Sequence, residues 1–253
     1  MASYPSIQSF ASRVSTSLSR LDICILNAGI VKPAFSLNPT TSHEEVIQVN
    51  YLSTMLLAIL LLPALKFKSP AGTPGRLTIV GSGTVYQAAF PNRSSIPLIP
   101  SFDSVSITPW NPSERYAASK LLGHLFLAKL AQLGYVDPKD VIVNIVDPGY
   151  CKGSELHRDA KGVLGLVLSL SKKLTGRTLD EGALTYIDAA VVKGKESHGC
   201  FVMDWEIRPF ANMIYEAESQ PIIDRLWEET MQEFEFAGAE SILKNLTASK
   251  SLS

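Results

Sequence analysis

The chain has 253 residues, of which 46% are hydrophobic, and its 23 Lys and Arg residues nearly balance 24 Asp and Glu residues, for a formal charge of −1. This balance excludes the basic field of a nucleic-acid-binding protein, and the length and apolar content are typical of a single globular domain over 1–253. The three cysteines and four histidines lack the spacing of a disulfide framework or a metal site. We therefore expect no bound metal. Because the N-terminus does not resemble a signal peptide, we also expect a cytoplasmic protein.

Strands and helices are predicted to alternate along the first part of the chain. Apolar residues at helical spacing predict a helix over 5–19, and LDICILNAG predicts a buried strand that ends in a tight loop. RLTIVGSG predicts a second strand, a helix follows over 113–134, and VIVNIVDPG over 141–149 predicts a third strand. A loop rich in Pro and Ser over 88–112 precedes that helix, and we expect the loop to be weakly ordered.

A long helix predicted over 41–67 is apolar enough to imitate a membrane span. Its segment 46–65 is interrupted by Gln48 and Asn50 at the start and by Pro63 near the end. A span across a bilayer needs about 20 consecutive apolar residues. We therefore expect a helix buried inside the protein and no membrane span.

The last part of the chain is predicted to hold further helices and one strand. Short helices over 154–178 lead to a helix over 179–193 and a final strand, GCFVMD, over 199–204. We interpret GVLGLVLSLSKK, 162–173, as a substrate-covering lid or an ordinary apolar helix, with a membrane-touching helix as the alternative. The tail beyond 240 is expected to be weakly ordered. The alternation of apolar strands with helices indicates an open α/β fold, with a parallel sheet covered on both faces.

Candidate site residues follow each predicted strand, which is where ligands bind in an open parallel sheet. The three strands end in Asn27-Ala28-Gly29, Gly81-Ser82-Gly83 and Asp147-Pro148-Gly149. The helix between the second and third strands carries Tyr116 and Lys120, which share one helical face at this spacing. An ammonium group near a phenol stabilises the phenolate, so the pair predicts a proton donor or acceptor with a lowered tyrosine pKa.

Two further residues extend this proton-transfer set. Ser82 is placed to hold a substrate carbonyl near Tyr116, and Asn50 to hold a water that connects Lys120 to solvent. A Tyr and a Lys four residues apart are, by themselves, more often a half-buried Tyr beside an extended Lys. The order of all the segments along the chain favours the chemical interpretation.

LNAGI, VN in VIQVNYLST, IVGS, YAASK and DPGY occur in the order that the short-chain dehydrogenase/reductase family uses. The chain resembles that family over nearly its whole length, and RTLDEGALTYIDAA and RLWEET look like later helices of its retinol-dehydrogenase-like and fungal members. The resemblance implies a Rossmann-like sheet and an oxidoreductase that uses NADP or NAD. It also implies the family tetrad: Asn50, Ser82 to orient the substrate, Tyr116 as general acid or base, and Lys120 to lower the tyrosine pKa and bind the nicotinamide ribose.

The resemblance further implies contacts to the cofactor. Asn27, Ala28 and Gly29 would line it, and Pro148 and Gly149 would face its nicotinamide end. Leu26 departs from the family pattern, which has Asn at this position. The Thr that commonly follows Pro-Gly is also absent, with Cys151 or Ser154 as substitutes.

The glycine-rich segment with which family members bind the pyrophosphate has no counterpart in this sequence. MASYPSIQSF resembles the sequence just after their third strand, so we expect the first three strands to be absent and DICILN to be an edge strand. Three explanations stay open: a start further upstream, a decayed fragment, or a half-fold that pairs with another chain. Whether the chain binds a nucleotide is open for the same reason.

Three functions follow, in order of preference. The first is an oxidoreductase that acts on a ketone or secondary alcohol of a lipophilic small molecule, in a biosynthetic pathway. The second is a redox-inactive member that catalyses cofactor-free isomerisation, dehydration or cyclisation with the same Tyr and Lys. The third is a non-catalytic partner subunit that pairs through its edge strand. For the enzyme we expect a homodimer built on the helices around 46–65 and 113–134.

Overall fold

The computed structural model describes residues 1–154, 156 and 176–248. Its longer helices are α1 (Tyr4–Ser17), α2 (Thr54–Lys68), α3 (Pro112–Leu133), α4 (Leu179–Ile187), α5 (Gln220–Glu233) and α6 (Ala239–Ala248). Its strands are β1 (Ile23–Leu26), β2 (Gly75–Val80), β3 (Val141–Asp147), β4 (Phe201–Met203) and β5 (Glu206–Arg208). The predicted alternation of strands and helices is confirmed.

The strands form one sheet in the order β1-β2-β3-β4-β5, in which β1 to β4 are parallel and β5 is antiparallel to β4. Among the described residues β1 pairs with β2 alone, so DICILN is the edge strand that the sequence predicted. The expectation that this strand is buried was wrong, because Ile23 and Ile25 on its open face are 40% and 38% exposed. The sequence did not predict β5, because its three residues are all exposed and carry no apolar alternation. A turn at Asp204 and Trp205, with φ of 55° and 60°, joins β5 to β4.

The apolar helix predicted over 41–67 is a core helix. One α-helical turn, Glu45–Ile47, leads into a π-helical turn, Gln48–Ser53, and then into α2. In this run, 89% of the most apolar stretch is buried inside the protein. Within the described residues this is the one helix long and apolar enough to cross a membrane, and its burial confirms the prediction of a buried helix.

The prediction that 88–112 is weakly ordered was wrong. The stretch contains two 3₁₀-helical turns, Pro91–Ser94 and Ile99–Asp103. Four of its large apolar side chains enter the main core with at most 2% exposure: Phe90, Leu98, Ile99 and Phe102. Their burial offsets the entropy lost when a polar-looking loop is ordered.

Two predictions concern the ends of the C-terminal third. The tail beyond 240 was predicted to be weakly ordered, and this was wrong up to Ala248, where α6 ends. The predicted helix over 179–193 is confirmed as α4 followed by a π-helical turn, Asp188–Val192. The helices predicted over 154–178 fall almost entirely outside the described residues, as does the whole of 162–173.

Candidate active site

Helix α3 carries Tyr116 and Lys120 across the carboxyl ends of the central strands. It begins where the Asn111 side chain accepts hydrogen bonds from the N–H groups of Ser113 and Glu114, at 3.0 and 3.1 Å, and it ends at Gly134, whose φ is 65°. These are the residue types that begin and end helices. Lys120 is 7% exposed and Tyr116 is half-buried, so the shared face predicted from their spacing points into the protein.

Ser82 lies at the end of β2 beside Tyr116. Its hydroxyl accepts hydrogen bonds from the Thr84 N–H at 3.3 Å and the Thr84 hydroxyl at 3.0 Å, and it also hydrogen-bonds Tyr116. Burial raises the pKa of Tyr116, and this hydrogen bond opposes the rise. The structure therefore brings the two hydroxyls together as the sequence predicted.

The lowered pKa expected for Tyr116 is not found, because burial dominates and raises it, and the effect of Lys120 on that pKa stays a prediction. The Lys120 ammonium nitrogen donates to the Val80 carbonyl at 2.7 Å and lies 5.8 Å from the centroid of the Tyr116 ring. Burial lowers the pKa of Lys120 itself to about 8, against the opposing effect of the Asp147 charge. The lysine is therefore close to its own titration point at neutral pH.

Asn50 fixes the loop that follows β1. Its Oδ1 accepts from the Ile30 N–H at 2.8 Å, and its Nδ2 donates to the Ile30 carbonyl at 2.9 Å and to the Ser119 hydroxyl at 3.0 Å. Both amide protons are thus used by protein atoms. Only Oδ1 has capacity left for the water that the sequence analysis assigned to Asn50. The role of Asn50 as a water relay stays a prediction.

The predicted cofactor residues fall into two groups. Gly29 lies against Lys120 and Asn50, because a Cβ on Gly29 would be 3.4 Å from Lys120 Nζ and 3.4 Å from Asn50 Oδ1. Asn27 and Ala28 are exposed, and Asn27 Oδ1 accepts from the Tyr186 hydroxyl at 2.8 Å.

The second group follows β3. The Pro148 carbonyl accepts from Arg177 at 3.3 Å, and Gly149 has a φ of 75°. The positive φ favours glycine at this turn, and a Cβ on Gly149 would also lie 2.9 Å from the Arg177 side chain at Nη1. The Cys151 thiol also donates to the Pro148 and Gly149 carbonyls, both at 3.6 Å.

The sequence analysis missed Asp147 as a charge within the site. Its carboxylate is 8% exposed and accepts from the backbone N–H groups of Gly83 and Gly149. Burial raises the pKa of Asp147, and its negative charge raises the pKa of both Tyr116 and Lys120. Its position at the end of a predicted strand was the signal that could have revealed it.

A second missed residue, His124, lies one helical turn beyond Lys120 and is fully buried. Neither of its ring nitrogens has a hydrogen-bond partner among the described residues. Burial, assisted by the positive charge of Lys120, lowers the pKa of His124 to about 3. The region behind Lys120 therefore holds a neutral imidazole. Taken together, the fold and this site define a Rossmann-like α/β protein whose strand ends lie beside a half-buried tyrosine and a buried lysine on one helix.

Comparison with known proteins identifies the family. The family model described as short chain dehydrogenase matches residues 1–94. The short chain dehydrogenase/reductase mfmJ of Annulohypoxylon moriforme is 54% identical over 246 residues, which cover 97% of this chain and 70% of that protein. The short-chain dehydrogenase fogG of Aspergillus ruber is 41% identical over 250 residues, which cover 98% of this chain and 71% of that protein. The chain belongs to the short-chain dehydrogenase/reductase family, whose members are NAD(P)-dependent oxidoreductases.

Solved structures share the fold at low sequence identity. The NADPH bound carbonyl reductase from chicken fatty liver matches with a TM-score of 0.56 and 19% identity, over 83% of this chain and 74% of that one. The Pseudomonas aeruginosa RhlG/NADP active-site complex matches with a TM-score of 0.55 and 22% identity, over 80% of this chain and 72% of that one. These matches confirm the predicted Rossmann-like fold.

Proposed function

We propose that the protein interconverts a ketone and a secondary alcohol of a lipophilic small molecule, with NADP(H) or NAD(H) as the redox partner. The observation that carries the proposal is the hydrogen-bonded Ser82 and Tyr116 at a strand end, with the buried Lys120 on the same helix. Exposed apolar side chains in the segment after Ser82, among them Val105 and Ile107, support a lipophilic substrate. Similarity to fungal short-chain dehydrogenases supports a place in a biosynthetic pathway.

Each site residue has a distinct part in the proposed reaction. Ser82 donates a hydrogen bond to the carbonyl oxygen, and Tyr116 donates its proton to the same oxygen as the alcohol forms. Lys120, with its pKa near 8, exchanges a proton close to neutral pH and restores the proton of Tyr116. A bound reduced nicotinamide supplies the hydride for the carbonyl carbon.

The residues present fit one end of such a cofactor. Three candidate groups lie near the end of β1: the exposed Asn27, Gly29, and the Lys120 ammonium group, which lies against Gly29. This set suits the ribose and nicotinamide, which offer hydroxyl and amide groups. We assign the pyrophosphate to none of the described residues, because the sequence has no glycine-rich turn before a helix.

Replacing Tyr116 tests the proposed reaction. In a panel of lipophilic ketones with NADPH and NADH, we expect Tyr116→Phe to lose about 10²-fold to 10⁴-fold in kcat, the range for loss of a general acid. Tyr135→Phe is the matched control, since Tyr135 stacks on Trp227 away from the strand ends. Equal activity in Tyr116→Phe and Tyr135→Phe would sink the proposal.

A second candidate is cofactor-free isomerisation, dehydration or cyclisation. It is favoured by the Ser82–Tyr116 hydrogen bond, since these reactions move protons at a carbonyl and need no hydride. Calorimetric titration of the folded chain with NADPH and NADH separates the two. Binding at micromolar strength supports the oxidoreductase, and no binding together with turnover in nucleotide-free buffer supports the second candidate.

The predicted homodimer and the cytoplasmic location belong to this proposal as predictions. The helices expected to pair subunits are largely buried within one chain: ten residues of α2 and twelve of α3 are buried. A dimer would therefore have to use their remaining exposed residues. Light scattering of the purified chain measures the mass that decides between monomer and dimer.

A further inference from the structure

The segment 88–111 connects the region of Ser82 to that of Tyr116 and is anchored through its own backbone. Most of it lies outside regular helices and strands, so its N–H and C=O groups need partners elsewhere. Four charged side chains from two helices supply partners for six of these groups. We call Glu114, Arg115, Arg225 and Glu229 the backbone clamp.

Helix α3 provides the first half of the backbone clamp. The Glu114 carboxylate accepts hydrogen bonds from the N–H groups of Ala89 and Phe90, at 3.0 and 2.9 Å. Arg115 donates to the Phe102 carbonyl at 2.7 Å, and its guanidinium lies 4.9 Å from the centroid of the Phe102 ring. Phe90 has a φ of 49°, an unfavourable conformation for a bulky residue, and Glu114 holds it there.

Helix α5 provides the second half in the same manner. The Glu229 carboxylate accepts from the N–H groups of Leu98 and Ile99, both at 2.7 Å. Arg225, one turn earlier on α5, donates to the Ser95 carbonyl at 2.8 Å. Each helix thus contributes one glutamate that binds two consecutive N–H groups and one arginine that binds a carbonyl. Hydrogen bonds with an ionised partner are about twice as strong as neutral ones.

The far end of the segment is tied to the loop after β1. The Trp110 indole N–H donates to the Pro33 carbonyl at 3.1 Å, and the Trp110 ring packs against Phe35. Glu114 and Arg115 immediately precede Tyr116 on α3, so the clamp and the proposed proton donor belong to one rigid helix. The position of the segment is therefore fixed relative to Tyr116.

We propose that the backbone clamp makes 88–111 a fixed wall of the substrate site and that Glu114 and Glu229 are positioning residues that set substrate selectivity. This inference rests on the proposed function for its kinetic consequence. Its structural consequence stands alone: the wall keeps one conformation whether or not a substrate is present. A preorganised wall favours substrates of one shape because reshaping it would break several charge-assisted bonds.

The experiment uses Glu229→Ala, with Glu229→Gln as the conservative variant and Glu228→Ala as the matched control. Glu228 is exposed and neighbours Glu229 on α5. Hydrogen exchange is read at single amides, with Leu98 and Ile99 as reporters. We expect Glu229→Ala to speed exchange of these amides by at least about tenfold, Glu229→Gln to restore part of the protection, and Glu228→Ala to match the unaltered chain.

The kinetic readout uses a pair of ketones, one slender and one bulky. We expect Glu229→Ala to change the ratio of kcat/KM for the pair by about tenfold, mostly through KM, with kcat for the better substrate within about twofold. Unchanged exchange at Leu98 and Ile99 would overturn the clamp. Faster exchange with unchanged selectivity would overturn the wall's role in substrate choice. An unaltered chain that lacks reductase activity would refute the proposed function instead, while the exchange result still decides the clamp.

Discussion

Two histidines of this protein, the buried His124 and the half-buried His43, have opposite electrostatic surroundings. Behind the proposed proton donor, His124 has no hydrogen-bond partner among the described residues and stays neutral. At the junction of the 88–111 segment with α5, His43 lies between two carboxylates, 2.9 Å from Asp103 and 3.3 Å from Glu233. Burial alone would lower the pKa of His43, but these two partners outweigh it and raise the pKa to about 9.

The difference shows how each region is held in place. The proton-transfer region is positioned by packing: His124 contacts the rings of Phe201 and Phe210, with centroids 4.6 and 5.3 Å away. The region around His43 is positioned by charge, and Tyr4 extends its network with a 2.8 Å hydrogen bond to Glu233. Ion pairs thus hold the region around His43, whereas aromatic contacts surround His124.

Removing the charged histidine should have the largest effect. In His43→Gln, Asp103 and Glu233 lose the cation between them, and we expect a loss of about 3 kcal/mol in the free energy of unfolding at pH 6.5. The folded chain holds the His43 proton up to about pH 9, whereas the unfolded chain releases it near pH 6.5. The stability from His43 is therefore fully present below pH 6.5 and lost as the pH rises to 9.

Denaturant unfolding at half-unit steps from pH 6 to 9.5 measures this contribution. The difference between His43→Gln and the unaltered chain should shrink steadily across that range. A difference that stays constant with pH would mean that His43 is neutral in the folded protein.

Replacing the neutral histidine, His124, should change the free energy of unfolding by less. Its contribution should also vary with pH in the opposite direction to that of His43. The folded chain keeps His124 unprotonated down to about pH 3, whereas the unfolded chain takes up a proton near pH 6.5. The unaltered chain should therefore lose about 2 kcal/mol from this residue between pH 7 and 5. His124→Leu, which removes the titrating group and fills the same apolar space, should not show that loss.

Urea unfolding of the unaltered chain and His124→Leu at pH 7 and pH 5 checks this expectation. At pH 7 the variant should be as stable as the unaltered chain or more so, because no unpartnered imidazole is buried. A difference between His124→Leu and the unaltered chain that is the same at both pH values would show that the pKa of His124 is not lowered in the folded chain.

An exposed charge pair provides the smallest expected effect. Lys129 on α3 and Asp224 on α5 form an ion pair at 2.6 Å, and the Asp224 side chain is 41% exposed. The hydrogen bond from Lys129 lowers the pKa of Asp224. We expect Asp224→Asn to cost less than about 1 kcal/mol at low salt and nothing measurable at 1 M salt. A larger cost, or one that persists in 1 M salt, would show that this ion pair contributes substantially to the packing of α3 against α5.

The predictability of the fold from sequence follows the same division between packing and charge. Strands β2 to β4 were recognisable because buried parallel strands are nearly continuous apolar runs, and β1 has the same apolar run although Ile23 and Ile25 are exposed. The order within 88–111 was not recognisable, because it depends on Glu229, which is more than 100 residues away in the chain. Side-chain to backbone bonds over such a distance leave no local pattern in the sequence.

The candidate site shows the same limit at the level of single residues. Ser82, Tyr116 and Lys120 could be predicted to meet, since helical spacing and strand ends determine their placement. The pKa values of Tyr116 and Lys120 could not be predicted, because they depend on burial and on Asp147. The charge of Asp147 adds to the effect of burial on the pKa of Tyr116 and opposes the effect of burial on the pKa of Lys120.

The backbone clamp has a consequence for how this protein can change over evolutionary time. Glu114 and Glu229 hold N–H groups, and Arg115 and Arg225 hold carbonyls, so the hydrogen bonds of the clamp depend on no particular side chain of the segment, although Arg115 also packs against the buried Phe102 ring. Every residue type carries a backbone carbonyl, and every type except proline carries an N–H group. The exposed side chains of 88–111 can therefore be exchanged without releasing the segment from its anchors. A lineage could in this way explore new substrates by point substitution while inheriting an unaltered wall.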